Sequence, residues 1–289
     1  MEFHAIILFV ILLNPKMPKV SAYIPCYNNE SSIAESIKSV LNQNSTIDQF
    51  FVIDDGSTDN SVNIIQSLGV EVIQNKINQG RGWVRHTAMK MAKHDFVLCC
   101  DAGKSLHTDF IQKALPWFEN NKIASVYGSL SQSSPINAAE RWRGIYLYRE
   151  REILKTINTQ STLITFATIV RKSAVMKVGN FDPQFRHSED IELGTRLVNS
   201  GYITMSDANL KAFTLESCSS VSILRRYWRW NAGTNEEISI KAYIKNISYS
   251  IKVMLKQDIE DYDFKRAFIS LICPHFQFWY TILRKVRND

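Results

Sequence analysis

The sequence contains no G-x-G-x-x-G, no G-x-x-x-x-G-K-[ST] and no C-x-x-C. The first two absences argue against dinucleotide enzymes and P-loop ATPases, because a pyrophosphate needs glycine to approach a helix start closely. The five cysteines, Cys26, Cys99, Cys100, Cys218 and Cys273, are odd in number and share no ligand-like spacing. They fit neither a disulfide framework nor a zinc site, and read as reduced, mostly buried thiols of a cytosolic protein. Long apolar runs are scarce too. Ala5–Leu13 is nine apolar residues, against roughly 20 for a bilayer span. It lacks the basic flank and small-residue cleavage site of a signal peptide. It reads as a membrane-touching segment or, our preference, as sequence preceding a start at Met17. No repeat, low-complexity tract or Gly/Ser linker marks a domain boundary.

What is present fits a globular protein. Apolar side chains make up 45% and charged ones 21%, which supports a core and argues against disorder. The net charge of +6 is unevenly placed. Residues 1–224 carry 22 basic and 21 acidic side chains, whereas residues 225–289 carry 12 and 7. A nucleic-acid-binding domain distributes its basic charge over the binding fold, so no nucleic-acid partner is expected.

From Lys19 onward, short β-type runs alternate with amphipathic helices. Residues 20–24, 50–53, 70–73 and 96–100 read as buried strands, and 33–41, 62–68 and 83–91 have helical spacing. This order predicts an α/β fold with βαβ units and a mostly parallel, Rossmann-like sheet flanked by helices. Ligands of such sheets bind beyond the carboxyl ends of the strands. The polar clusters Tyr27–Glu30, Asp54–Asp59 and Asp101–Lys104 directly follow strands, so Tyr27, Asn28, Glu30, Asp54, Asp55 and Asp101 should line one crevice. Asp54–Thr58 also reads as a turn and helix cap. Beyond a helix over 109–118 and a strand over 124–130 the alternation loosens. A helix over 138–154, a strand over 163–170, a helix over 190–199 and a mostly helical remainder from 221 complete the pattern.

Four ordered segments resemble the family 2 glycosyltransferases, inverting enzymes of the GT-A fold. They are Pro25-Cys26-Tyr27-Asn28, Asp54-Asp55-Gly56-Ser57-Thr58-Asp59, Asn78-Gln79-Gly80-Arg81-Gly82 with Arg85, and Ser188-Glu189-Asp190 running into Ile191–Leu197. Val178-Gly179-Asn180-Phe181-Asp182 is similar to the V-G-G-F-D stretch before the last of these. The resemblance covers about residues 18–232 and implies a nucleotide-sugar donor, most commonly a UDP-sugar. It implies that Asp55 recognises the base, that Pro25 and Tyr27 wall that pocket, and that Arg85 lies near the nucleotide. Asn28, Glu30, Asp54 and Asp101 join the donor side. A cation beside a diphosphate has independent sense, since the leaving group gathers negative charge in the transition state. Asp190 would be the single base that takes the acceptor hydroxyl proton during one inverting displacement, with Glu189 on the acceptor side. Acids at 189 and 190 also suit a helix start on their own account.

One position departs from the family. The usual D-x-D after the fourth strand reads Asp101-Ala102-Gly103, and glycine offers no oxygen to Mg²⁺ or Mn²⁺. Three outcomes stay open: a cation held weakly through Asp101, water and diphosphate, which is slightly preferred; replacement by Lys104, Arg81 or cations near 225–229; or a nucleotide-sugar-binding subunit without turnover. Arg226-Tyr227-Trp228-Arg229-Trp230 resembles Q-x-x-R-W with arginine for glutamine. Arg226, Arg229 and Trp230 are therefore candidates for acceptor or diphosphate contact, or for an interfacial helix.

The tail combines lysines 241, 245, 252 and 256 with apolar and aromatic residues, and 267–283 is apolar but broken by Pro274 and His275. Such helices lie in a membrane interface and are drawn to anionic lipid. The expected organisation is an extension over 1–17, a GT-A domain over 18–232 and a basic-aromatic helical extension over 233–289. The expected acceptor is a glycan or lipid-linked sugar at the cytoplasmic membrane face.

Overall fold

The computed structural model describes residues 18–132, 134–153, 157–160, 162–232 and 238–288; the apolar segment 5–13 lies outside them. Strand β1 (Val20–Cys26) pairs in parallel with β2 (Gln49–Asp54), and β2 with β3 (Glu71–Gln74). On its other side β1 pairs in parallel with β4 (Phe96–Cys100). Helices α1 (Ile33–Leu41), α2 (Ser61–Ser67) and α3 (Arg81–Met91) make the crossovers.

Both faces of the inner strands β1, β2 and β4 are covered and these strands are largely apolar, whereas the edge strand β3 has exposed Glu71 and Gln74 at its ends. Ala22 and Ile24 of β1 pack with Ile33, Ile37 and Val40 of α1 on one face. Tyr23 of β1 and Phe51 and Ile53 of β2 pack with Val84 and Ala88 of α3 on the other. The alternation follows from the two-residue period of a strand.

The second half is mixed. It contains β5 (Lys104–Leu106), β6 (Ile123–Gln132), β7 (Ile157–Asn158), β8 (Ala167–Arg171) and β9 (Ile203–Thr214). The sheet order is β3-β2-β1-β4-β8-β6-β9-β5, with β7 paired to β9. Antiparallel β8 joins the parallel half to β6, and β6 and β9 run parallel. The parallel character expected from the sequence is thus concentrated between β3 and β4. Strand β9, the longest, lies in a stretch that the sequence reading passes over.

Helix α4 (Phe110–Ala114) continues as a 3₁₀ turn through Glu119. The helix expected over 138–154 is α5 (Ala138–Trp142), a π turn over Arg143–Leu147 and α6 (Glu150–Ile153), interrupted where Arg149 takes φ 53°. α7 (Lys172–Lys177) and α8 (Glu189–Asn199) follow. The tail is α9 (Ser220–Ala232), α10 (Ile240–Tyr249), a π turn, α11 (Lys256–Glu260) and α12 (Phe264–Asn288).

This tail is packed on the sheet domain through α5. Trp142 Nε1 donates to Ser270 Oγ at 2.9 Å, and Tyr146 donates to Asp258 Oδ1 at 2.6 Å. Arg266 pairs with the same fully buried Asp258, so that carboxylate has the partners a buried charge requires.

Candidate active site

The loops after the carboxyl ends of β1, β2 and β4 lie on one side of the sheet, and the first two are stitched together. The Asn28 amide donates to Ser57 Oγ at 2.8 Å, and Asn28 Oδ1 accepts from the Thr58 amide at 2.8 Å. The Glu30 amide donates to Asp59 Oδ2 at 3.0 Å, while Glu30 Oε2 accepts from the Asn60 amide at 2.9 Å. Buried Asp54 accepts from the Ser57 amide at 3.1 Å and from its hydroxyl. Asn28, Glu30 and Asp54 therefore order these two turns. Asp55 goes further. Its Oδ1 accepts from Asn75 Nδ2 at 2.8 Å and the Gln79 amide at 2.9 Å, and its Oδ2 accepts from the Gly80 amide at 2.8 Å. It fixes the segment that enters α3. Tyr27 stays 48% exposed beside half-buried Pro25, so its ring face is free to stack.

Arg85 lies one turn into α3 and is 1% exposed. Its Nη2 donates to Asp101 Oδ1 at 2.7 Å, its Nε to Glu189 Oε1 at 2.9 Å and its Nη1 to the Tyr23 hydroxyl at 3.2 Å. A single guanidinium thus joins the residue after β4 to the start of α8. Burial works against its charge, but Asp101, Tyr23 and Glu189 hold it protonated well above the usual arginine value. Burial likewise pushes the Asp101 carboxyl up, yet Arg85, Arg81 and Lys104 outweigh it and the carboxyl lies below the ordinary range.

Asp190 is next to this relay. Its Oδ1 accepts from the Ile191 amide at 2.9 Å and its Oδ2 from Thr165 Oγ1 at 3.2 Å. Ser188, in left-handed conformation at φ 61°, turns the chain into α8 so that Glu189 goes inward and Asp190 stays half-buried. Burial first and then the Glu189 charge raise the Asp190 pKa, with Arg85 opposing.

The remaining wall is where the D-x-D pattern fails. Gly103 has φ +81°, and a Cβ added there would meet Glu216 Oε1 at 2.7 Å and Cγ at 2.8 Å. The space a side chain at 103 would enter is filled by Glu216, which follows β9. The turn is pinned by the Gly103 amide donating to Ser36 Oγ at 3.0 Å and the Leu215 amide donating to the Gly103 carbonyl at 2.9 Å. Glu216 Oε2 lies 3.2 Å from Arg226 Nη2 and 3.5 Å from Lys104 Nζ. Burial pushes its carboxyl up, but Lys104 and Arg226 outweigh that and hold it low. These residues do not fit a divalent cation in the usual way: the second carboxylate already serves two cations. Among the described residues no cluster of three His, Cys, Asp or Glu side chains is poised to hold a metal.

Of the other candidates, Arg229 is exposed on α9, and the Trp230 side chain lies outside the described residues. Four residues at the site were not singled out from sequence: Tyr23, Thr165, Arg143 and Glu216. The sequence signal for Glu216 is an acid two residues after a strand, and the mixed polar and apolar composition of β9 masks it.

The family described as Glycosyl transferase family 2 matches residues 21–179. An uncharacterized glycosyltransferase of Haemophilus influenzae is 30% identical over 118 residues, 39% of this chain and 47% of the relative. Poly-beta-1,6-N-acetyl-D-glucosamine synthase of Staphylococcus epidermidis is 23% identical over 254 residues, 83% of this chain and 61% of the relative. The chain therefore spans less than two thirds of these relatives' length. Among solved structures, S. aureus TarS 1-349 superposes with a TM-score of 0.54 at 18% identity, covering 90% of this chain and 86% of that one. The mannosyltransferase PcManGT from Pyrobaculum calidifontis, in complex with GDP-Man and Mn²⁺, gives 0.55 at 14%, covering 92% and 73%. At these identities the likeness establishes a shared GT-A-like fold.

Proposed function

The chain belongs to glycosyl transferase family 2, and from that membership we propose that it transfers a sugar from a nucleotide-sugar donor to a hydroxyl of a glycan or lipid-linked acceptor with inversion. The observation that carries this reading is Asp190. It is a half-buried carboxylate of raised pKa, bonded through Thr165 and its own helix start. One buried arginine couples the neighbouring Glu189 to Asp101 at the nucleotide side.

Asp190 takes the acceptor proton as the acceptor oxygen bonds to the anomeric carbon. The bond from that carbon to the phosphate oxygen breaks with its electron pair, and the nucleoside diphosphate leaves. Attack from the face opposite the leaving group inverts the anomeric configuration. Arg85, enclosed and shared by Asp101 and Glu189, is a positioning residue. Asp55 orders the 75–80 segment against which the base is recognised, and Tyr27 offers a stacking face over Pro25.

Solved relatives carry UDP-GlcNAc, UDP and GDP-Man, and curated relatives include polysaccharide synthases. A UDP-sugar donor and a role in envelope polysaccharide synthesis follow as the first choices. The test is a donor panel with product anomers read by NMR, alongside Asp190→Asn. A base of this kind contributes about 10²–10⁴-fold. Turnover in the variant should fall by that order while UDP still binds; retained turnover would remove Asp190 as base.

A further inference from the structure

The wall formed by Gly103 and Glu216 has a consequence for how the leaving diphosphate is neutralised. Three cations converge there. Lys104, 7% exposed, reaches Glu216 Oε2, the Gly103 carbonyl at 3.3 Å and Thr214 Oγ1 at 3.4 Å. Arg226 meets the same carboxylate from α9. Arg143, fully buried in the π turn after α5, donates through Nη2 to the Glu216 main-chain carbonyl at 2.5 Å. Gln132 Oε1 takes further bonds from Arg143, and Glu150 lies within its field.

Two polar atoms of this cluster are buried with no hydrogen-bond partner among the described residues: Arg143 Nη1 and the Tyr148 hydroxyl. A guanidinium with an unmet donor, beside two further cations that share the single Glu216 carboxylate, is chemistry suited to an anion. The same charges oppose a divalent cation. Glu216 fills the space of a side chain at 103, and a metal between Asp101 and Glu216 would sit among the ammonium and guanidinium groups already paired to them.

We propose that Lys104 and Arg226, backed by Arg143, take the place of the divalent cation as the seat of the donor diphosphate, and that donor binding here is metal-independent. Glu216 acts as a positioning residue that gathers these cations beside Asp101. The inference rests on the glycosyltransferase reading and deepens it at the diphosphate.

The test is calorimetry of the full chain with UDP, GDP and dTDP, each in EDTA and in Mn²⁺. The affinity of whichever nucleotide binds should agree within about twofold between the two conditions. Losing one charge-assisted contact costs about tenfold to a hundredfold, so Lys104→Met should weaken binding by that order with no rescue by Mn²⁺. Lys104→Arg should retain binding, and thermal melts of both variants separate lost affinity from lost fold. Binding abolished by EDTA and restored by Mn²⁺ overturns the inference and leaves the glycosyltransferase reading standing. Unchanged affinity in a folded Lys104→Met also overturns it. Absence of nucleotide binding in both conditions overturns the parent reading and the inference with it.

Discussion

Burial and the Glu189 charge both favour the neutral form of the Asp190 carboxyl, and Arg85 alone among its named charged neighbours favours the anion. The balance is a raised pKa, and the sign of its effect on rate follows. A base works deprotonated, so kcat/KM should rise with pH through the Asp190 pKa. The acidic limb should therefore lie above the ordinary aspartate value of about 3.9. A pH profile checks this; a limb at or below that value in the free enzyme contradicts the assignment. Residue types at the site were partly legible in sequence, because Asp190, Asp101 and Arg85 each belong to a recognisable segment. Their geometry was not. Arg85 looked like a nucleotide contact but is enclosed between two carboxylates and a phenol. Glu216 was invisible because glycine at 103 signals only a missing oxygen, while the carboxylate that fills its space is remote in sequence.

Among the elements, α3 connects the two sides of the site. Its Gly82 amide donates to the Phe185 carbonyl at 2.9 Å. A Cβ at Gly82 would lie 2.3 Å from the Asp182 oxygen and 2.5 Å from that of Phe185. Gly82→Ala would gain about 1 kcal/mol of helix propensity. Forcing apart two backbone segments costs about 1–3 kcal/mol or more, and the clash prevails because neither neighbour is a flexible side-chain end. The expected result is a lower Tm, by a few degrees on the scale of ~2–4 °C per kcal/mol. Activity should fall as well, since the displaced 182–186 segment leads into Ser188 and Asp190. A melting curve and a transfer assay on the variant check both. Elements were legible where both faces of a strand are apolar, as in β1, β2 and β4. They were not in β9, where exposed Asn209 and half-buried Lys211 and Phe213 alternate with buried Leu210, Ala212 and Thr214. That two-residue alternation was the signal available.

For the molecule as a whole, the basic tail expected from composition proves to be a helical layer on α5 with an outward apolar stripe. Phe264, Phe268, Leu271, Trp279 and Leu283 of α12 are each at least 42% exposed and recur at helical spacing. Ile240 and Ile244 of α10 are exposed as well, with lysines 241 and 245 beside them in sequence. No helix among the described residues is long and apolar enough to cross a membrane. We propose that this exposed stripe, with the lysines beside it, contacts anionic lipid. Phe268→Ser with Trp279→Ser should reduce flotation with phosphatidylserine liposomes while the melting temperature holds; undiminished flotation would exclude this stripe as the contact. The sheet order bears on assembly of the chain itself. Strands β1 to β4 pair with one another within the first hundred residues and can close early during synthesis, while the outer edge of β4 waits for β8. One edge of β6 has no strand beside it until β9 arrives about eighty residues later, and non-local pairing of this kind is slow. During that interval the nascent chain displays an open strand edge prone to wrong pairing. The wall carrying Glu216 is therefore among the last parts of the sheet domain to form.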